Sequence, residues 1–391
     1  MKKLLLFLIT FTLGACANQQ TSEQYKSTEK QKAKQFQAEV QRIQKEYKLP
    51  GMTAAYVLKN GSSGNAASGF ADVEAQIAMQ DHPRMLAASI GKTYVAATTL
   101  ALVQEGRLSL HEPVSVWLGK YPWFTRLANH DSITLHHLLT HSAGLADHVH
   151  MESFQMAFVQ DWQAENNAFP PQRLIEFILD KPALFPVGQG WAYSDTGYIL
   201  IGLIIETVTG NTYYNEVEKR FIKPLKLTET SASNRRDLKQ LAAGYLSADN
   251  PFGLPTKTLD NNGQLYLHPG IEWTGGGLVS SSRDLAHWGH ALFNGKVMSG
   301  DYRNELFNSI RIDPQMADIQ YGAGVAIYKT SPVGPVLGHA GWIPGYISSL
   351  RHYMDSGVTI AFQINTDSGA ISEDESIAQK IEMRLLKLLI K

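Results

Sequence analysis

Ser89 and Lys92 stand three residues apart in AASIGKTYVAATTLALV (residues 87–103), where Lys92 is the only charged residue between Arg84 and Glu105. On a helix, positions i and i+3 share a face. In apolar surroundings desolvation disfavours the ammonium form, which makes a lysine a proton acceptor able to activate a neighbouring hydroxyl. Burying a lysine without a task is costly. The pair therefore reads as a nucleophile and its proton-transfer group. Ser27 and Lys30 repeat the spacing inside a polar tract, as a short pattern will by chance.

Two further groups follow in the chain. Tyr193-Ser194-Asp195 lies in PVGQGWAYSDTGYILIGLIIETVTG (186–210), and His339-Ala340-Gly341 lies in GHAGWIPGY (338–346). In this order the three motifs resemble those of the serine β-lactamase and penicillin-binding protein superfamily. The resemblance is strongest to its branch of class C β-lactamases, D-alanyl-D-alanine carboxypeptidases and esterases. LLTHSAGL (138–145) and GGGLVSSSRDLAHWG (275–289) also look like framework segments of that branch, and the resemblance covers about residues 33–391.

The resemblance implies an α+β, β-lactamase/transpeptidase-like fold: an antiparallel sheet flanked by N- and C-terminal helices, with a mainly helical subdomain. It also implies roles. Ser89 would be acylated and then hydrolysed, with Lys92 taking or relaying its proton. Tyr193 would be general base toward Ser89 and acid toward the leaving group. His339 would line the strand side of the site. Asp195, Gly341 and Trp342 would meet substrate, and the backbone N–H groups of Ser89 and Trp342 would form the oxyanion hole. Neither a metal nor an organic cofactor is implied. The substrate would be a small molecule or a peptidoglycan-type peptide.

Two positions depart from the family pattern. Asp195 stands where the family has asparagine, and it would hold Lys92 as an ammonium ion. Ala340 stands where the strand triplet usually carries a hydroxyl that helps to hold a substrate carboxylate. Ester or amide hydrolysis is thus expected over β-lactamase or carboxypeptidase activity. A non-catalytic envelope-binding module of the same fold is the alternative from a different class, and retention of Ser89, Lys92 and Tyr193 together argues against it.

Other readings are weaker. Ala87-Ala88-Ser89-Ile90-Gly91 resembles a nucleophile elbow, but too few residues precede it for the βα units of an α/β-hydrolase. Gly91-Lys92-Thr93 lacks the upstream glycine of a P-loop, where Leu86 stands. Asp147-His148-Val149-His150 could suggest a metal, but without further ligand spacing it reads as a solvated turn. His141 reads as a hydrogen-bonding residue of its loop.

These residues need a scaffold, and its elements are legible. Phe36, Val40, Ile43 and Tyr47 have helical spacing, which predicts a helix over 33–47. Met52 to Leu58 and Asn65 to Phe70 flank KNGSSG as a hairpin. Helices are predicted over Ser89–Gln104, Thr196–Val208, Asn215–Ile222 (ended by Pro224), Ser282–Phe293 and Ile371–Leu389. Strands are predicted over Tyr321–Lys329, Pro335–His339, Tyr346–Met354 and Val358–Ile364. The two ends of the chain should complete one sheet (about 33–86 and 320–391), with residues 87–319 as the helical lobe. Loops 119–132, 146–170 and 246–270 should shape the pocket.

The 391 residues carry a formal net charge of −1 with no basic run, so no nucleic-acid footprint is present. Lys2 and Lys3 precede the apolar run Leu4–Leu13, which is too short to span a bilayer and reads as an export signal over residues 1–15. Leu13-Gly14-Ala15-Cys16 resembles a lipobox. Cys16, the sole cysteine, would carry lipid, and residues 16–32 would tether the domain. The expected location is the bacterial cell envelope, outside the cytoplasm.

Overall fold

The computed structural model describes residues 29–80, 82–161, 169–367 and 377–390. The export signal, Cys16 and most of the tether lie outside the described residues, as do residues 371–376 of the predicted last helix, which is described over Ile377–Leu389. A helix over residues 29–46 begins inside the stretch assigned to the tether. Its Lys32 Nζ donates to the Leu389 carbonyl oxygen at 3.0 Å, which ties the first helix to the last.

The strands are β1 (Gly51–Val57), β2 (Ser63–Asp72), β3 (Ile77–Ala78), β4 (Met85–Leu86), β5 (Ser231–Ala232), β6 (Leu278–Ser280), β7 (Ile310–Arg311), β8 (Ile319–Tyr321), β9 (Ala326–Tyr328), β10 (Val336–Ile343), β11 (Tyr346–Tyr353) and β12 (Val358–Ile364). Nine of them form one sheet in the order β3-β2-β1-β12-β11-β10-β9-β8-β7, and β4-β6-β5 form a small second sheet. β1 pairs antiparallel with β12, Met52 opposite Ile364, so the two ends of the chain do complete one sheet. The fold is the expected α+β arrangement.

β1, β11 and β12 are buried along their whole length because both faces are covered. On one face Met52, Tyr56, Phe362 and Ile364 pack with Phe36, Val40, Ile43, Ile381 and Leu385 of the two terminal helices. Arg384 of the last helix reaches Glu39 and Glu46 of the first. On the other face lies the helix Ser282–Phe293, whose Ser282 Oγ is 2.7 Å from Thr53 Oγ1 of β1. Ser281 caps that helix by accepting from the Asp284 N–H.

Three expectations are revised. The Tyr321–Lys329 run is a hairpin, with β8 and β9 joined through Gly324 at φ +68°. The helix predicted to stop before Pro224 continues: Tyr213–Val217 passes into a π turn, Glu218–Ile222, and then Lys223–Leu225. The π turn leaves Pro224 in the first turn of the next segment, where a missing N–H costs nothing. Ser89 precedes the α-helix, on the 3-10 turn Ala88–Gly91 that leads into Lys92–Gln104. The i, i+3 relation survives, since a 3-10 turn superposes those positions.

Candidate active site

The serine turn is held under strain. Ala88 has φ +49°, a left-handed conformation that costs a non-glycine residue about 1–3 kcal/mol. Its neighbours fix it: Ala87 N–H donates to Leu278 O at 2.9 Å, and Ser348 Oγ donates to Ala87 O at 2.7 Å. Gly91 packs so closely that a Cβ there would overlap the Gly276 carbonyl oxygen. Gly341 of β10 likewise leaves no room for a Cβ between Ala87 O and Ser348 Oγ. The glycine of the strand triplet thus sets the approach of β10 to the serine turn.

Lys92 is fully buried at the start of its helix. Its Nζ donates to Ser89 Oγ at 3.2 Å and also to Asp195 Oδ1 and the Gly275 carbonyl. It lies 4.8 Å from the centre of the Tyr193 ring. Burial alone would lower its pKa, but the Asp195 carboxylate and the Tyr193 oxygen outweigh that and hold it above the usual lysine range. Lys92 is an ammonium ion at neutral pH.

Asp195 arrives by a separate local logic. Ser194 accepts from the Gly197 N–H and starts the helix Asp195–Thr209, with Asp195 in its first turn, where the helix dipole favours a carboxylate. Gly210, at φ +70°, ends the helix. Residues Thr196 to Ile205 are all buried, so this helix is the axis of the helical lobe.

Tyr193 is clamped from both sides by His141. The Ala192 N–H donates to the His141 carbonyl at 3.1 Å, and the Ser194 N–H donates to His141 Nδ1 at 3.1 Å. The His141 ring, on a residue at φ +59°, lies 4.3 Å from the Tyr193 ring. Burial, with Lys92 and His339 adding to it, keeps this imidazole neutral. His141 is therefore more than a loop residue; it positions the tyrosine. The Tyr193 hydroxyl is buried and faces Lys92 and Ser89. Burial pushes its pKa up to about 12, against the pull of Lys92. The phenol is protonated at rest, because burial outweighs the pull of Lys92 toward the phenolate.

His339 Nδ1 is 2.5 Å from its neighbour's carbonyl, Ala340 O, so Nδ1 is the donor, and Nε2 accepts from the Tyr321 hydroxyl at 2.8 Å. Burial and Lys92 bring its pKa down to about 3. Both nitrogens are occupied, and the ring centre is 6.2 Å from that of Tyr193. His339 lines the strand side as a neutral, fixed wall. Tyr321 had no motif around it in the sequence, and its role emerges only when β8 folds beside β10.

β10 pairs with β9 only over Val336–Gly338, so from His339 onward that edge has no strand partner among the described residues and faces the site. Ala340 and Trp342 are exposed on one side of it. Trp342 begins an aromatic wall: its ring is 5.8 Å from Phe252, which is 5.9 Å from Phe158, which is 5.9 Å from Phe154. This wall bounds a cavity of about 440 Å³. Asp195 and Gly275, the partners of Lys92, form part of its lining. Of the three loops expected to shape the pocket, 146–170 and 246–270 line it, the former largely through the helix Glu152–Asp161, whereas no residue of 119–132 does.

The Asp147–His150 segment is not a solvated turn. Asp147 and His148 are 5% and 3% exposed. His148 bonds Thr196 Oγ1 through both its N–H (2.9 Å) and Nδ1 (2.8 Å), and Asp147 caps the local turn. Burial and the nearby Asp195 carboxylate raise Asp147 to about 7. The segment buttresses the head of the Asp195 helix. Among the described residues no cluster suited to a metal ion is found.

Glu272 went unremarked in the sequence. It lies between the turns Pro269–Ile271 and Trp273–Gly275, with Oε2 buried and unpaired, and it lines the cavity. The one available signal was an acid among apolar and glycine residues in PGIEWTGGGL.

Known proteins resemble the chain in both sequence and structure. Penicillin-binding protein 4* of Bacillus subtilis is 26% identical over 308 residues, which is 76% of this chain and 64% of that protein. The chain thus spans a little under two thirds of that relative. A D-stereospecific amidohydrolase from Streptomyces sp. superposes with a TM-score of 0.73 at 28% identity, covering 88% of this chain and 97% of that one. The D-amino acid amidase of Ochrobactrum anthropi SV3 shares the fold, with a TM-score of 0.75 at 22% identity over 91% of this chain and 98% of its own. Residues 36–381 match the beta-lactamase family, so the chain belongs to that family of serine hydrolases.

Proposed function

We propose that the protein is an envelope-anchored hydrolase that forms an acyl-enzyme on Ser89 and hydrolyses small esters or amides, including those of D-amino acids. The observation that carries the reading is the Ser89–Lys92–Asp195 chain, centred on the buried Lys92 and beside Tyr193, at the end of a roomy, aromatic-walled cavity. Ser89 Oγ attacks the carbonyl carbon. Its proton enters the Tyr193–Lys92 pair and is returned to the leaving group. The backbone N–H groups of Ser89 and Trp342 receive the oxyanion. Water then attacks the ester, and the same groups reverse the proton path.

At rest both Lys92 and Tyr193 hold their protons. The reactive form is therefore the one in which the pair has lost one proton, and activity rises with pH. Asp195→Asn removes the anion that holds Lys92 charged, while the desolvation that lowers its pKa stays. The acidic limb of the kcat/KM profile should move to lower pH by about one unit or more, and amides should be affected more than esters. An unmoved limb, with equal loss on both, would assign Asp195 a purely structural role.

The substrate class is tested on purified domain with p-nitrophenyl acetate, D-amino-acid amides, a D-Ala-D-Ala peptide and a chromogenic cephalosporin. Esters and D-amino-acid amides should be turned over, the cephalosporin poorly. Ala340 offers a carboxylate no hydroxyl, and among the described residues no Lys or Arg lines the cavity. A lost hydrogen bond to a charged group costs about 1.5–3 kcal/mol, roughly ten- to a hundredfold. Efficient cephalosporin hydrolysis would favour the penicillin-recognising reading instead.

The anchoring part of the proposal rests on the lipobox-like Leu13–Cys16. Among the described residues no helix is long and apolar enough to cross a membrane. Cys16→Ser should move the protein from the membrane fraction to the soluble envelope fraction. Continued sedimentation with membranes would refute the lipid anchor.

A further inference from the structure

The acid that no motif announced raises its own question. Glu272 is held against the serine turn because residue 276 is glycine: any Cβ there would collide with the Glu272 carboxyl and lie 2.8 Å from the Ala88 carbonyl carbon. Its Oε2 is shielded from solvent and has no partner. Buried polar groups are normally satisfied, and an unsatisfied one calls for an explanation. This one lines the 440 Å³ cavity together with Asp195. Asp195 spends Oδ1 on Lys92. Of the other described lining residues only His148 and His150 are titratable, and burial keeps His148 neutral, near 4.

We infer that Glu272 and Asp195 form an ammonium subsite, so that the preferred substrate carries an unblocked amine beside its scissile carbonyl and a hydrophobic side chain. The inference rests on the acyl-enzyme reading above and specifies its substrate. Ionised carboxylates only accept hydrogen bonds, and an ammonium group has three to donate. The apolar remainder of the substrate fits Phe252, Phe158 and Trp342, in a cavity of the size that small-molecule sites commonly have. A substrate with a carboxylate at the same point would face two acids, and Lys92, the cation beside them, is already paired with Asp195.

The groups facing Glu272 define its proton balance. Burial raises its pKa to about 8, Lys92 pulls it down and Asp195 pushes it up, while the Gly277 N–H lowers it. Tyr214, from the helix Tyr213–Val217, faces it as well and stays a neutral phenol. Glu272 is thus mostly protonated in the empty site at neutral pH, and arrival of an ammonium group releases that proton. The same shift bears on folding. The folded carboxyl keeps its proton up to about 8, the unfolded one only to about 4.5, so stability falls as pH rises between those values.

The test uses phenylalanine amide of each configuration and its N-acetyl derivative, with p-nitrophenyl acetate and fluorophosphonate labelling as reports on Ser89 itself. The wild-type protein should prefer the free amine by at least about tenfold in kcat/KM. Glu272→Gln should reduce the ratio of free-amine to N-acetyl turnover by roughly ten- to a hundredfold, mainly through KM. The variant should also melt higher than wild type, by a margin that grows from pH 5 to pH 8. That margin shows that it folds and that the burial is real. A protein that labels at Ser89 but accepts N-acetyl amides as readily as free amines overturns the subsite alone. An unchanged ratio in Glu272→Gln does the same. A protein inert to label and to every substrate overturns the acyl-enzyme reading and the subsite with it.

Discussion

Ser89→Ala is expected to abolish turnover of every ester and amide substrate, by at least about a thousandfold, the scale on which serine hydrolases lose rate with their nucleophile. The fold should survive. Ser89 is partly exposed, and its hydroxyl accepts one hydrogen bond, from Lys92 at 3.2 Å. Lys92 keeps Asp195 and the Gly275 carbonyl when that bond is lost. The stability change is then no more than about 1 kcal/mol. Substrate binding in the cavity should persist, since Phe158, Phe252, Trp342 and Asp195 of its lining are unchanged. Steady-state kinetics beside a thermal melt separate these outcomes; an inactive variant that is also unfolded would say nothing of chemistry, and an active one would refute the assignment.

Lys92→Ala should cost at least about a hundredfold in kcat, the usual scale for a lost proton-transfer group. Here the structure also predicts a stability cost. Asp195 loses its cation and Gly275 its donor, and breaking a buried ion pair costs about 3–5 kcal/mol. The figure belongs at the low end, because the Asp195 side chain is 24% exposed and water can reach it. Lys92→Met keeps the stem and fills the volume. It should recover part of the melting temperature and none of the rate. Recovery of rate with stability would mean that Lys92 only packs the helix start.

The positions legible in the sequence are those whose chemistry conflicts with their surroundings. A lone lysine in an apolar helix, three residues from a serine, signals itself, and Tyr193 and His339 follow in patterned segments. Strands near the chain ends were equally plain, because β-branched and aromatic runs between turn residues have few other readings. What stayed hidden was set by contacts between distant segments. His141 looked like a loop residue because its hydrogen bond from the Ser194 N–H, which helps to fix Tyr193, spans 53 positions. Tyr321 meets His339 only after β8 and β9 turn back along β10. Glu272 is indistinguishable from a surface acid until Gly276 is seen to admit it beside Ala88. The Asp147–His150 turn read as solvated because nothing local shows that Thr196 covers it. Pro224 misled for the opposite reason: the local rule is sound, but a π turn one step earlier removes its cost.

The state of Lys92 joins these observations. Burial and an adjacent carboxylate act on it in opposite directions, and the carboxylate prevails. The site therefore holds a proton on Lys92 rather than offering a free base, and in the proposed mechanism Tyr193, protonated beside it, is the route by which Ser89 would give up its own. Every part of this scheme depends on Ser89 being the atom that attacks. Intact-mass measurement of the purified domain after exposure to an aryl fluorophosphonate, followed by peptide mapping, tests that directly. The account predicts a single adduct on the peptide that carries Ser89, absent from Ser89→Ala. No adduct on the wild-type protein, or one that persists in Ser89→Ala, would contradict it.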